Sequence, residues 1–216
     1  MTLVKICGLN DPAGLDAAVA ARADMIGLVF FPPSPRAVTP AEAAALAARA
    51  PRETGPLRVG LFVDASDEAI ATVLAALPLD ILQLHGEETP ARCAALRARF
   101  GLPVMKALGI ATEADLTLLD AYAPAVDRFL LDAKPAPGAA LPGGNASAFD
   151  WSLLAGRAIP RPWLLAGGLT PANVAEAIRA TGAPGVDVSS GVEASRGVKD
   201  PARIAAFIRA ARPGSG

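Results

Sequence analysis

Eight short runs rich in apolar and β-branched residues alternate with alanine- and leucine-rich segments along the whole chain. They fall at residues 3–7, 24–31, 57–63, 80–84, 103–107, 128–132, 162–166 and 185–189. Strands that alternate with helices pair in parallel and are joined by right-handed crossovers. Two architectures satisfy that rule, a closed (β/α)8 barrel and an open doubly wound sheet. The strand count, the even spacing and the lack of a G-x-G-x-x-G run after the first strand favour the barrel. The expected fold is therefore α/β, one (β/α)8 TIM barrel spanning residues 1–216 as a single domain. No linker or shift in composition divides the chain, and its length of 216 residues sits at the low end for such barrels.

The helix starts support the same alternation. Asp11-Pro12, Thr39-Pro40, Thr89-Pro90, Thr170-Pro171 and Asp200-Pro201 each place a capping side chain before proline. The cap oxygen accepts an orphan amide, and proline at the first helical position needs no partner for one. Thr39 with Glu42 reads as a capping box, and Ser66 and Thr112 as further caps. The weak unit follows strand six, where a Pro/Gly/Ala-rich stretch at 133–148 precedes one short helical turn at 150–154. A long loop in a compact domain usually serves function.

Composition narrows the function. Lys+Arg total 20 and Asp+Glu total 21, so no global field draws nucleic acid or an anionic membrane. No apolar run is long enough to span a bilayer, and residues 1–11 do not read as a signal peptide. Two cysteines and one histidine suit neither a disulfide framework nor a structural zinc site. A reducing, cytoplasmic setting is expected, with a small-molecule substrate.

Strand parity then sorts the polar residues, because alternate barrel residues face inward. Lys5 and Cys7 share one face of strand one, and Gln83 and His85 one face of strand four. Lys106 is opposite in sense to Met105, Asp132 to Leu131, and Asp187 and Ser189 to Val186 and Val188. We expect these polar residues to share the interior. Cys7, His85, Asp132 and Ser189 end their strands, where barrel active sites form. Lys5, Lys106 and Asp187 are equally readable as interior ion pairs, His85 as a satisfied rim histidine and Cys93 as helix packing. Cys7 and Asp132, on opposite walls of one mouth, make a candidate base/acid pair.

Two glycine-bearing exits close the chain, Ala166-Gly167-Gly168-Leu169 and Ser189-Ser190-Gly191-Val192. Barrels often bind phosphate in the loops after strands seven and eight, through backbone amides that glycine leaves accessible. Tight turns are the plainer reading. Arg36 follows Pro32-Pro33-Ser34-Pro35 after strand two. It is either a carboxylate-binding fork or a solvated surface arginine.

With these residues assembled, the chain resembles the phosphoribosylanthranilate isomerase family over nearly its whole length. The matching segments are Val4-Lys5-Ile6-Cys7-Gly8-Leu9, Gly27-Leu28-Val29-Phe30-Phe31 with Ser34-Pro35-Arg36, Val59-Gly60-Leu61-Phe62-Val63, Leu82-Gln83-Leu84-His85-Gly86, Leu130-Leu131-Asp132, Phe149-Asp150-Trp151, Ala166-Gly167-Gly168-Leu169 and Val186-Asp187-Val188-Ser189-Ser190-Gly191-Val192-Glu193. The resemblance implies an Amadori rearrangement of N-(5-phosphoribosyl)anthranilate in tryptophan biosynthesis, without metal or cofactor. It implies Asp132 as general acid, kept protonated by desolvation, and Cys7 as thiolate base, favoured by nearby positive charge. Arg36 would hold the anthranilate carboxylate. Asp187 and His85 would contact the substrate, and Gly167, Gly168, Ser189, Ser190 and Gly191 would hold its phosphate. One segment departs: Gly143-Gly144-Asn145-Ala146-Ser147-Ala148 stands where relatives carry a glycine-richer run. Ala146 would disfavour a left-handed backbone there and alter loop closure.

Two other functions fit the fold. One is a broader sugar-phosphate isomerase acting on the histidine-pathway aminoaldose, which would want a second phosphate loop in the first half of the barrel. The other is a non-catalytic subunit, which the intact Cys7 and Asp132 argue against. The sequence is compatible with a monomer or a homodimer.

Overall fold

The structure, a computed structural model, describes residues 1–134 and 150–212. Eight parallel strands close into a barrel in chain order. They are β1 (Leu3–Cys7), β2 (Met25–Val29), β3 (Leu57–Phe62), β4 (Ile81–Leu84), β5 (Val104–Ile110), β6 (Arg128–Ala133), β7 (Trp163–Leu165) and β8 (Gly185–Val188). Closure runs through β1 and β8, where Lys5 pairs with Asp187 and Ile6 with Val188. That pairing rules out the open sheet. The helices around the barrel are α1 (Pro12–Ala20), α2 (Pro40–Ala47), α3 (Asp67–Ala76), α4 (Pro90–Phe100), α5 (Glu113–Leu116), α6 (Leu118–Tyr122), α7 (Val174–Thr181) and α8 (Pro201–Ala211).

Four of the five proline-marked helix starts form as expected. Asp11 accepts from the Gly14 amide, Thr89 from that of Arg92, and Asp200 from those of Ala202 and Arg203. Thr39 and Glu42 complete a capping box. The Thr170-Pro171 start is corrected. Asn173 takes the N-cap position without a side-chain cap bond, its side chain accepting instead from the Thr170 amide of the preceding turn, and α7 begins only at Val174. The extra turn lets the Asn173 amide group also hold the Gly168 carbonyl at 3.0 Å.

Apolar residues form two layers. Met25, Val59, Ile81, Met105, Leu130 and Leu164 fill the barrel interior. Val4, Ile6, Leu82, Leu84, Phe129 and Leu131 point outward into the helix-covered shell. Parity along β1, β4, β6 and β8 is as the sequence predicts. Lys106 is a correction. Met105 and Ala107 both face the interior, so Lys106 faces the shell. There its ammonium meets Glu88 at 2.8 Å and the Gly86 carbonyl at 2.5 Å. Its ammonium braces the loop after β4 and takes no part in the polar ring.

Two further differences bear on the site. Strand β5 runs past residue 107 to Ile110, because residues 108–110 pair with 131–133 and carry Gly109 opposite Asp132. After β8 a short antiparallel hairpin, β9 (Glu193–Ser195) and β10 (Val198–Lys199), appears that the sequence reading did not anticipate. The segment 143–148, with its Asn145-Ala146 departure, lies outside the described residues. Asp150 caps the 3-10 turn Trp151–Leu154, where the short helical turn was expected.

Candidate active site

The site is built at the C-terminal mouth of the barrel. Cys7 is the last residue of β1 and is buried among Val29 and Leu61. Its neighbour Lys5, fully enclosed, bonds Asp187 Oδ1 at 2.7 Å. Neighbouring glycines make the room. A Cβ on Gly27 would lie 2.8 Å from the Cys7 sulfur and 3.2 Å from the Lys5 ammonium. A Cβ on Gly8 would meet Arg36 Cδ at 2.5 Å and Ser189 Oγ at 3.1 Å. Residues from β1, the β2 exit and the β8 exit therefore converge on one corner of the mouth.

Charge around Cys7 corrects one expectation. Burial pushes the thiol above its ordinary value and outweighs the lowering influence of Lys5 and Lys199, and Asp187 adds to the rise. Burial thus favours the neutral thiol, because desolvation of a thiolate exceeds what the ammonium groups return. Lys5 itself is held above its usual value: Asp187 and Cys7 overcome the opposing effect of burial. Alkylation of Cys7 should consequently accelerate with pH to an inflection above 9.0, the ordinary thiol value. The measurement needs a Cys93→Ala background, since the Cys93 thiol, pushed up by burial to about 11, would otherwise contribute. An inflection below that ordinary value would show that the neighbouring ammonium groups outweigh burial.

Asp132 sits near the end of β6 on the far side of the mouth, 8% exposed. Its Oδ1 accepts the Ala133 amide at 2.8 Å. Its Oδ2 lies 3.5 Å from His85 Nε2, and Gln83 Nε2 is 3.2 Å from His85 Nδ1. The β4 side chains thus form a polar row that ends on Asp132. His85 is partly open to solvent, as a rim histidine would be. A Cβ on Gly167 would come 3.1 Å from Asp132 Oδ1, which brings the β7 exit against the same carboxylate.

Gly167 and Gly168 both have positive φ, at 84° and 63°. In that left-handed region glycine is favoured, and successive amides can face one point. Ser190 and Gly191 open the 3-10 turn Ser190–Val192 after β8, where first-turn amides have no intrahelical partner. A Cβ on Gly191 would be driven into the Leu169 carbonyl oxygen. The two exits are therefore packed on each other. Gly191→Ala should displace both, destabilise the fold by about 1–3 kcal/mol and raise KM at least tenfold, as thermal unfolding and steady-state kinetics would read. An unchanged KM would separate this turn from the substrate.

Arg36 is 5% exposed, so the solvated-surface reading fails. Its Nε and Nη2 fork onto Glu193 at 2.6 and 3.0 Å. Glu193 also receives Lys199 at 2.9 Å, and Lys199 reaches the Ser189 carbonyl at 2.9 Å. Sequence reasoning assigned neither Glu193 nor Lys199 a role. Glu193 and Lys199 on either side of Gly197 in one short segment were the only signal in the sequence.

The profile of the N-(5'-phosphoribosyl)anthranilate (PRA) isomerase family matches residues 4–210. The chain belongs to that family. It is 60% identical over 215 residues to the N-(5'-phosphoribosyl)anthranilate isomerase of Rhodospirillum rubrum, covering 99% of each chain. The crystal structure of phosphoribosyl anthranilate isomerase from Thermotoga maritima superposes with a TM-score of 0.84 at 36% identity, covering 98% of each chain. A phosphoribosyl anthranilate isomerase solved in complex with reduced 1-(o-carboxyphenylamino)-1-deoxyribulose 5-phosphate matches with a TM-score of 0.79 at 35% identity, again over 98% of each chain.

Proposed function

We propose that this mouth performs acid/base catalysis with Asp132 as general acid and Cys7 as general base. Family membership makes the chain an isomerase of tryptophan biosynthesis. The observation that carries the residue roles is the placement of Cys7 and Asp132 on opposite walls of one mouth, each flanked by a glycine-bearing strand exit. The substrate we assign is N-(5-phosphoribosyl)anthranilate, and the product 1-(2-carboxyphenylamino)-1-deoxyribulose 5-phosphate. A related enzyme binds the reduced form of that product.

Asp132 donates its proton to the ribose ring oxygen, the C1′–O bond breaks, and the amine lone pair forms an iminium. Cys7, in its thiolate form, takes the C2′ proton, the C2′–H electron pair neutralises the iminium as an enolamine, and exchange with solvent returns the proton to Asp132 and removes it from Cys7. The enol proton moves to carbon, which yields the ketone. The reaction is an isomerisation, so no redox partner enters. A general acid and base contribute about 10²–10⁴-fold each. His85, 3.5 Å from Asp132 and bonded on its other side to Gln83, stands beside the acid and faces the substrate. Asp187 keeps one oxygen for the substrate amine while Lys5 holds the other. Arg36 receives the anthranilate carboxylate. The amides and hydroxyls at Gly167, Gly168, Ser189, Ser190 and Gly191 receive the phosphate.

The same reading treats residues 1–216 as one barrel domain, working in the cytoplasm as a monomer or homodimer on a phosphorylated small molecule. Every described helix and barrel strand belongs to the one closed barrel, and among the described residues no helix is long and apolar enough to cross a membrane. The test is a fluorescence assay. The labile substrate is generated in situ from anthranilate and phosphoribosyl pyrophosphate by a transferase. The expected result is loss of its fluorescence far above the spontaneous rate once this protein is added. A rate equal to the spontaneous one would overturn the assignment.

A further inference from the structure

Glu193 and Lys199 are 6% and 4% exposed, and the chemistry above leaves both unused. They occupy the two strands of the β9–β10 hairpin. Glu193 gathers four donors. Arg36 Nε and Lys199 Nζ share Oε1 at 2.6 and 2.9 Å, and Arg36 Nη2 and the Gly197 amide share Oε2, both at 3.0 Å. Lys199 also holds Ser189, at 2.9 Å to its carbonyl and 3.2 Å to its hydroxyl. The hairpin presses on the loop that carries Arg36: a Cβ on Gly197 would come 2.8 Å from the Pro35 carbonyl oxygen.

Burial drives the Glu193 carboxyl upward, yet the bonds from Arg36 and Lys199 prevail and hold it below its usual value. The group is an ionised carboxylate between two cations. Burial lowers the Lys199 ammonium from its usual value and Glu193 opposes that, while Arg36 and Lys199 together outnumber the one carboxylate they share, which suits an anionic ligand. The Arg36 fork has two bidentate edges. Glu193 occupies the Nε–Nη2 edge, and Nη1 makes no side-chain hydrogen bond among the described residues. An arginine held in this way has lost its rotamer freedom before the ligand arrives.

We infer that the β9–β10 hairpin is a positioning element that gauges the two ends of the substrate against each other. Glu193 aims Arg36 at the carboxylate, and Lys199 holds Ser189 at the phosphate. This rests on the reading, proposed above, that Arg36 receives the substrate carboxylate. Neither hairpin residue touches the reacting atoms.

The test compares two probes by calorimetry: reduced 1-(2-carboxyphenylamino)-1-deoxyribulose 5-phosphate and its counterpart without the ring carboxyl. The wild type is expected to favour the carboxylated probe. Glu193→Gln should shrink that preference about tenfold, the order expected when a charge-assisted fork is released. Its affinity for the carboxyl-free probe should stay unchanged. Lys199→Met should weaken both probes about tenfold and leave the preference intact, because the Arg36–Glu193 pair survives. A merely structural hairpin would weaken both probes equally in both variants, and that result overturns the inference. Should Glu193→Gln fail to fold, Glu193→Asp takes its place, since its shorter carboxylate cannot keep both bonds of the Arg36 fork, and an unchanged preference for the carboxylated probe then overturns the inference. A wild type with no preference for the carboxyl group would remove the Arg36 reading itself. A preference that survives Glu193→Gln would remove only the role of the hairpin.

Discussion

Replacing Asp132 with asparagine is expected to lower kcat about a thousandfold while the fold stays intact. The amide has nearly the same shape and can still accept the Ala133 amide bond that fixes the carboxylate at 2.8 Å. It has no proton to give to the departing ring oxygen. Circular dichroism and thermal unfolding should overlay those of the wild type, and affinity for the reduced product should change less than threefold. His85 is the competing acid, since its Nε2 lies 3.5 Å from Asp132 Oδ2. If Asp132→Asn keeps most of its turnover while His85→Gln loses it, the imidazole carries the proton and the assignment fails.

Cys7→Ala should be comparably inactive, by about 10²–10⁴-fold in kcat. The sulfur lies beside the Lys5–Asp187 ion pair, which the alanine variant leaves in place. Charge balance in the interior is thus preserved, and the loss can be assigned to the missing base. Cys7→Ser sharpens the test, because it restores a polar atom of similar size whose proton is far harder to remove. Serine should not rescue turnover. A serine variant near wild-type activity would show that Cys7 only fills space. The pH profile gives a second check. Burial holds the free thiol above its ordinary value, so fewer molecules carry the base as pH falls. In the wild type kcat/KM should therefore climb from neutral into mildly alkaline solution.

Much of this was legible in the chain because it depends on local periodicity. Parity of two in each strand put Cys7, Gln83, Asp132 and Asp187 on the inner face, and all four are there. Caps such as Asp11, Thr39, Thr89 and Asp200 depend on bonds spanning three residues, so they too are readable. Lys106 shows where the reading slipped. Alternation sets Lys106 opposite Met105 but does not say which of the two faces inward, and it is Met105 that does. The helix shell admitted the charge because Glu88 waits there at 2.8 Å. Nothing in the neighbouring sequence shows a partner 18 residues away.

The alternation of strands and helices by itself determined the eight units, their parallel pairing and the inward face of most strands, because each follows from repeats of two to four residues, whereas closure waited on the pairing of β1 with β8. Contacts between distant segments were decided only by the folded chain. Arg36 and Glu193 are 157 positions apart, and Lys5 and Asp187 are 182 apart. Whether Arg36 was a surface residue or a buried fork, and whether Cys7 rested as thiol or thiolate, depended on those partners and on the water excluded around them. Desolvation and ion pairing act through space, and no local pattern encodes the balance between them.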